Sequence, residues 1–242
     1  MKTKLLAAAL GASLSLAAIS ANATHTVYFG EDLGVDEGTP LAFHPNADAA
    51  RASFFSQLVG VGTESLETFA DGTSGPLAIS FPGFGTATLG GTGSVNTVLS
   101  GTNGVGRYPI SGVNYWEGSG VFTIVFSAPV AAFGFYGIDI GDYGGQVTAT
   151  LGGGSTETYN IPNTIYGSGG GVLYWGIIDT VNTFTSLTFG NTAGGTDYFG
   201  FDDFSVGGVE QVHVPEPASL ALMAVGLAGL AALRRRKSYP VA

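Results

Sequence analysis

From Leu66 onward the chain reads as short β-branched and aromatic runs separated by Gly, Asn, Asp and Pro. Such runs predict strands near 77–81, 86–89, 95–99, 121–126, 130–137, 147–151, 157–161, 172–178, 186–189 and 198–206. Short strands at this spacing define a mainly β chain, an antiparallel β-sandwich of jelly-roll-like form. The stretch 130–140 is almost wholly apolar, which predicts a central strand buried on both faces. By contrast 146–151 and 156–161 alternate, and the glycines at 152–154 join them as a hairpin with one wet face. Ahead of this region a strand-like Thr-Val-Tyr-Phe runs into an acidic loop with Glu31, Asp32, Asp36 and Glu37. One short helix follows. Pro45 suits a first turn, Ala47, Ala50, Phe54 and Leu58 recur at helical spacing, and Gly60 is placed to end it.

The two ends carry a different pattern. Ala218 to Leu233 has no charge, and as a helix its 16 residues would reach about 24 Å, short against roughly 30 Å of hydrocarbon. Its five Leu and one Val favour insertion by only about 3 kcal/mol, which suits a temporary anchor. Arg234, Arg235, Arg236 and Lys237 then hold that end in the cytoplasm and place everything before Val214 outside. At the other terminus Lys2 and Lys4 precede an apolar stretch over 5–18 and a small-residue cleavage site at Ala21-Asn22-Ala23, making Thr24 the expected mature start. The expected organisation is therefore a signal peptide at 1–23, an N-terminal strand, acidic loop and helix at 24–65, a sandwich domain at 66–210, and a sorting segment at 214–237 with a transmembrane helix at 218–233.

The segment Val-Pro-Glu-Pro, apolar run and basic stop resembles the PEP-CTERM sorting signal of Gram-negative bacteria. Pro215, Glu216 and Pro217 match its motif, and Arg234, Arg235 and Arg236 its basic end. The resemblance implies export by the general secretory machinery and a transient stay in the inner membrane. It further implies recognition and cleavage by an exosortase, then a cell-surface or extracellular location.

Setting both ends aside changes the charge. Between Thr24 and Val214 there are 17 acids against Arg51 and Arg107 alone, a net of −15 where the whole chain has −10. Such a body repels nucleic-acid phosphates and anionic membrane faces, so neither is an expected partner. The chain has no cysteine, which excludes disulfides, thiolate metal sites and a cysteine nucleophile.

Candidate chemistry is confined to carboxylates and aromatics. No nucleophile elbow, phosphate loop or dinucleotide fingerprint is present, and of His25, His44 and His213 two lie at the processed ends, which argues against a triad or a zinc site. Asp139 and Asp142 leave the apolar strand in a glycine-rich turn, Asp202 and Asp203 fall in the last strand on opposite faces by alternation, and Glu67 opens the β region. Calcium takes six to eight hard oxygens, which makes it the candidate cofactor, with Glu67, Asp139 and Asp203 as its ligands. The alternative is that these acids cap turns and meet solvent. A β-domain ending in Gly-Phe-Asp-Asp-Phe-Ser-Val before the sorting segment resembles PEP-CTERM proteins with a lectin-like, jelly-roll ectodomain, and by that similarity Glu67 and Asp203 would bind calcium. Trp116 and Trp175, beside Tyr115 and Tyr174, are candidate platforms for sugar rings; the competing expectation is core packing. These features point to a non-catalytic surface or matrix protein that binds exopolysaccharide. The alternatives are a polysaccharide-active enzyme and a structural adhesin for envelope proteins.

Overall fold

The computed structural model describes residues 25–140, 144–164, 169–191, 198–212 and 227. Among these no helix is long and apolar enough to cross a membrane. The expected transmembrane helix at 218–233 (apart from Leu227), the sorting residues, the signal peptide with Ala21 and Ala23, and Asp142 lie outside the described residues.

The chain is mainly β, with two antiparallel sheets forming a sandwich. Its elements are β1 (Thr26–Asp32), α1 (Pro45–Phe55), β2 (Gly62–Glu64), β3 (Leu77–Phe81), β4 (Gly85–Gly91), β5 (Ser94–Thr97), β6 (Asn114–Gly118), β7 (Phe122–Val130), β8 (Ala132–Ile138), β9 (Gly145–Leu151), β10 (Thr156–Asn160), β11 (Val172–Ile178), β12 (Phe184–Asn191) and β13 (Phe199–Gly207). One sheet runs β1-β11-β8-β13-β6-β5, with β2 also pairing to β13; the other runs β10-β9-β12-β7-β4-β3. The predicted strand 130–137 is in fact a junction. Val130 ends β7 in the second sheet, and after Ala131 the chain enters β8 in the first.

Between the sheets lies an aromatic core. Phe122 stacks on Phe189 with centroids 4.3 Å apart, and Phe135 and Phe201 meet them edge-on or tilted. Each such side chain removed from water contributes roughly 1.5–3 kcal/mol. The outer face of the first sheet is covered as well. Ala47, Ala50 and Phe54 of α1 pack on Tyr28, Tyr136, Tyr174 and Ile178, so every residue of β8, β11 and β13 is buried.

Docking of α1 depends on two local features. Gly30 leaves room for the helix start, since a Cβ there would lie 2.1 Å from the Asn46 carbonyl oxygen. The helix has no side-chain cap of its own; instead Asp32, at the end of β1, accepts from the Asn46 and Ala47 amides at 3.0 and 2.9 Å. The helix stops at Phe55, five residues before Gly60, and Leu58 reaches the core from the following turn. Strand and helix at the N-terminal side thus join the sandwich directly, through β1 on β11 and α1 on both.

Candidate functional site

The last strand carries a bulge that reorients its two acids. Asp202 faces Tyr136 and Ser205 faces Gly134, so β13 inserts one extra residue against β8. Asp203 sits in the left-handed region, with φ of 50°. Simple alternation would send Asp202 and Asp203 to opposite faces; with the bulge both reach one loop. Asp202 Oδ2 accepts from the Ile110 and Ser111 amides at 2.8 and 2.9 Å, and the Ser111 hydroxyl donates to Asp203 Oδ1 at 2.7 Å. Glu67 holds the next residues of the same loop, its Oε1 accepting from the Val113 and Asn114 amides at 3.0 and 2.7 Å. Burial, and after it the Asp203 charge, drives the Asp202 carboxyl well above the usual carboxylate range.

Asp139 belongs to a second set of contacts. It also has a left-handed backbone, with φ of 59°. Its Oδ1 accepts from the Gly170 amide at 2.9 Å, and its Oδ2 accepts from Arg107 Nη1 at 3.3 Å. Arg107, 7% exposed, also donates through Nε to Glu117 at 2.9 Å and through Nη1 to the Val105 and Tyr198 carbonyls. Asn103 and the Tyr115 hydroxyl donate to the same Glu117 oxygen, and Asn96 to the other. Tyr108 links further loops, donating to the Gly170 carbonyl while accepting from the Leu41 amide. Nothing in the sequence separated Arg107 from Arg51, which lies over the Phe55 ring with its centroid 4.1 Å away.

Three corrections follow. Among the described residues Glu67, Asp139 and Asp203 do not form a group within metal-ligand distance of one another. Glu67 and Asp139 instead hold loop amides and Asp203 holds the Ser111 hydroxyl, so this set does not fit the shell that calcium needs. Asp202 and Asp203 act on one face, through the bulge. Trp116 and Trp175 are 0% exposed and pack in the core, Trp116 near Phe122 and Trp175 near Phe135 and Tyr159. Neither offers a ring to a sugar, because the second sheet covers the inner face of their strands.

The open surface is the outer face of the second sheet. Outward positions align into rows across the strands: Thr158, Thr148, Thr188 and Thr123 face one another in turn, as do Thr156, Thr150, Ser186, Val125 and Thr88. Hydroxyls pair across strands at 3.0 Å in Thr148 with Thr158 and in Thr123 with Thr188, and Gln146 donates to Asn160 at 2.9 Å. Glu157 is the only charged residue in these six strands, and it shares the inward side with Tyr159. An uncharged, hydroxyl-lined face of six strands, about 24 Å across, is therefore set on a strongly acidic body.

This is an acidic β-sandwich that carries a sorting tail. Residues 213–237 match the PEP-CTERM protein-sorting motif, which implies export and membrane-associated sorting by an exosortase. No curated protein matches the chain. Among solved structures it is similar to the K2 cleaved adhesin domain of Lys-gingipain, at 15% identity over 60% of this chain and 97% of that one, with a TM-score of 0.39. It is also similar to the CBM22-1 xylan-binding domain of Xyn10C from Paenibacillus barcinonensis, at 14% identity over 65% of this chain and 99% of that one, with a TM-score of 0.37. A third is TmCBM61 in complex with β-1,4-galactotriose, at 15% identity over 59% and 93%, with a TM-score of 0.26. The scores are low, so the assignment of a site in this chain rests on its own residues.

Proposed function

We propose that this protein is a non-catalytic component of the cell surface or extracellular matrix that binds a neutral exopolysaccharide through the outer face of its six-stranded sheet. The observation that carries this reading is the row Thr158, Thr148, Thr188 and Thr123, set in a face without charge. A polysaccharide offers dense hydroxyl donors and acceptors and little charge. Threonine hydroxyls and the Gln146 and Asn160 amides supply both roles, and a hydroxyl can rotate to exchange its cross-strand partner for a ligand. No charged group on this face has to lose water when a neutral polymer approaches, whereas the acids elsewhere disfavour polyanions.

Co-sedimentation of the full chain with insoluble neutral polysaccharide tests the reading. Replacing Thr148 and Thr188 together by Asp places like charges in mid-face and is expected to lower retention more than about tenfold, a loss of about 1.4 kcal/mol. Retention equal to the parent would overturn the assigned face. Release of soluble sugar from the polymer by the parent chain would favour the enzymatic alternative. The sorting assignment has its own check: Glu216→Ala is expected to abolish tail removal in cells that carry an exosortase, and unchanged processing contradicts it.

A further inference from the structure

We infer that His25, Glu157 and Asp179 form a divalent transition-metal site, of the kind zinc occupies, which clips the edge strand of one sheet to the edge strand of the other. The topology brings these residues together. β1 is the edge of the first sheet and β10 the edge of the second. Thr26 pairs with Ile178, so one step outward His25 stands across from Asp179, and directly opposed residues share a face. His25 has the same parity as Phe29, and Asp179 the same parity as Trp175 and Ile177, all three of which pack in the intersheet core. Glu157 has the same parity as buried Tyr159. All three ligands therefore point into the lateral opening between the sheets.

One ligand atom from each residue lies within 4.8 Å of the others, and His25 Nδ1 is already 3.6 Å from Glu157 Oε1. Two ligands of a tetrahedral zinc stand about 3.4 Å apart, given bonds of about 2.0–2.1 Å. Going from 4.8 Å to that spacing takes about 1.4 Å of side-chain movement. Asp179, 3% exposed, uses its Oδ1 to accept from the Val181 and Asn182 amides at 2.8 Å. Its Oδ2 has only a long 3.3 Å contact from Asn182 Nδ2 and retains lone pairs.

A second observation comes from Tyr159. Its ring meets His25 edge-on at 4.9 Å, it is 6% exposed, and its hydroxyl is sealed from water without a hydrogen-bond partner. That hydroxyl lies within electrostatic reach of Glu157 and Asp179, although the approach to Glu157 does not meet hydrogen-bond geometry. A buried phenol without a partner is costly, and a metal, or a water on it, gives it one. One imidazole with two carboxylates is a nitrogen and oxygen set suited to zinc; calcium prefers more ligands, all of them oxygen.

The test uses the full chain in mild detergent, free of any polyhistidine tag and stripped of metal. Calorimetric titration with zinc is expected to show saturable binding of one ion per chain. His25→Ala and Glu157→Gln, both at part-exposed positions, are each expected to weaken zinc binding more than about tenfold with unchanged circular dichroism. Calcium at the same concentration is expected to give no saturable signal. Absence of zinc binding in the parent, parental affinity in both variants, or calcium binding as tight as zinc would overturn the proposal.

Discussion

Arg107 Nε donates to Glu117 Oε2 at 2.9 Å, with both side chains largely out of water. The pair sits where β6, the 103–107 loop and the Asp139 turn converge, so this one cation connects segments far apart in sequence. Removing a partner from a buried ion pair leaves the other charge uncompensated. Arg107→Ala is expected to cost about 3–5 kcal/mol in urea unfolding and to raise amide exchange across 103–107. A loss under about 1 kcal/mol would show that the network is dispensable.

Gly30 and Asn46 give a second case, in which a missing side chain matters. Gly30→Ala is expected to displace the first turn of α1, because the new methyl would meet the Asn46 carbonyl. Overpacking of this kind costs about 1–3 kcal/mol, and the shift in urea midpoint measures it. Gly153→Ala, with open space around it, is the control and should change the midpoint little.

Asp202 predicts a pH dependence. Its pKa in the folded chain lies above the ordinary 3.8, so between the two values the folded state holds more protons than the unfolded state. Stability contributed by the protonated form is full below the unfolded pKa and falls as pH rises through the folded one. Urea midpoints measured upward from about pH 3.8 should therefore contain a declining contribution that Asp202→Asn removes. Asn also disturbs the contacts to Ile110 and Ser111, so the slope, rather than the level, is the readout. An unchanged slope in the variant contradicts the assignment.

Fluorescence reads the tryptophans cleanly, because the chain has only two. With both at 0% exposure, emission should be blue-shifted and resistant to iodide, and it should not move when polysaccharide is added. A ligand-induced shift or strong quenching would restore Trp116 or Trp175 as a binding ring.

Legibility in the sequence followed the range of the interactions involved. The strands Leu77–Phe81 and Val172–Ile178 match the sequence expectation residue for residue, because neighbours two apart carry the pattern and glycines bound it. β2 and β6 were not foreseen. Gly62–Glu64 is three residues long, Asn114–Gly118 has no alternation, and both are held by pairing with β13. The alternation of 146–151 and 156–161 was legible strand by strand, but the alignment of their threonines into rows with those of β12 and β7 depends on register.

By itself the sequence determined the β class, the positions of most strands, the acidic body and the sorting tail, since composition, short-range alternation and a contiguous motif suffice for these. Tertiary structure decided that Trp116 and Trp175 are sealed in the core, because the second sheet covers the inner side of their strands. It also decided that Asp202 and Asp203 share one loop, because a bulge in β13 changes the face on which a residue falls. The meeting of His25, Glu157 and Asp179 likewise depends on sheet order, which places β1 and β10 on the same side of the sandwich. Pairing between strands distant in the chain sets register, bulges and edges, and a local pattern of side chains does not contain that information.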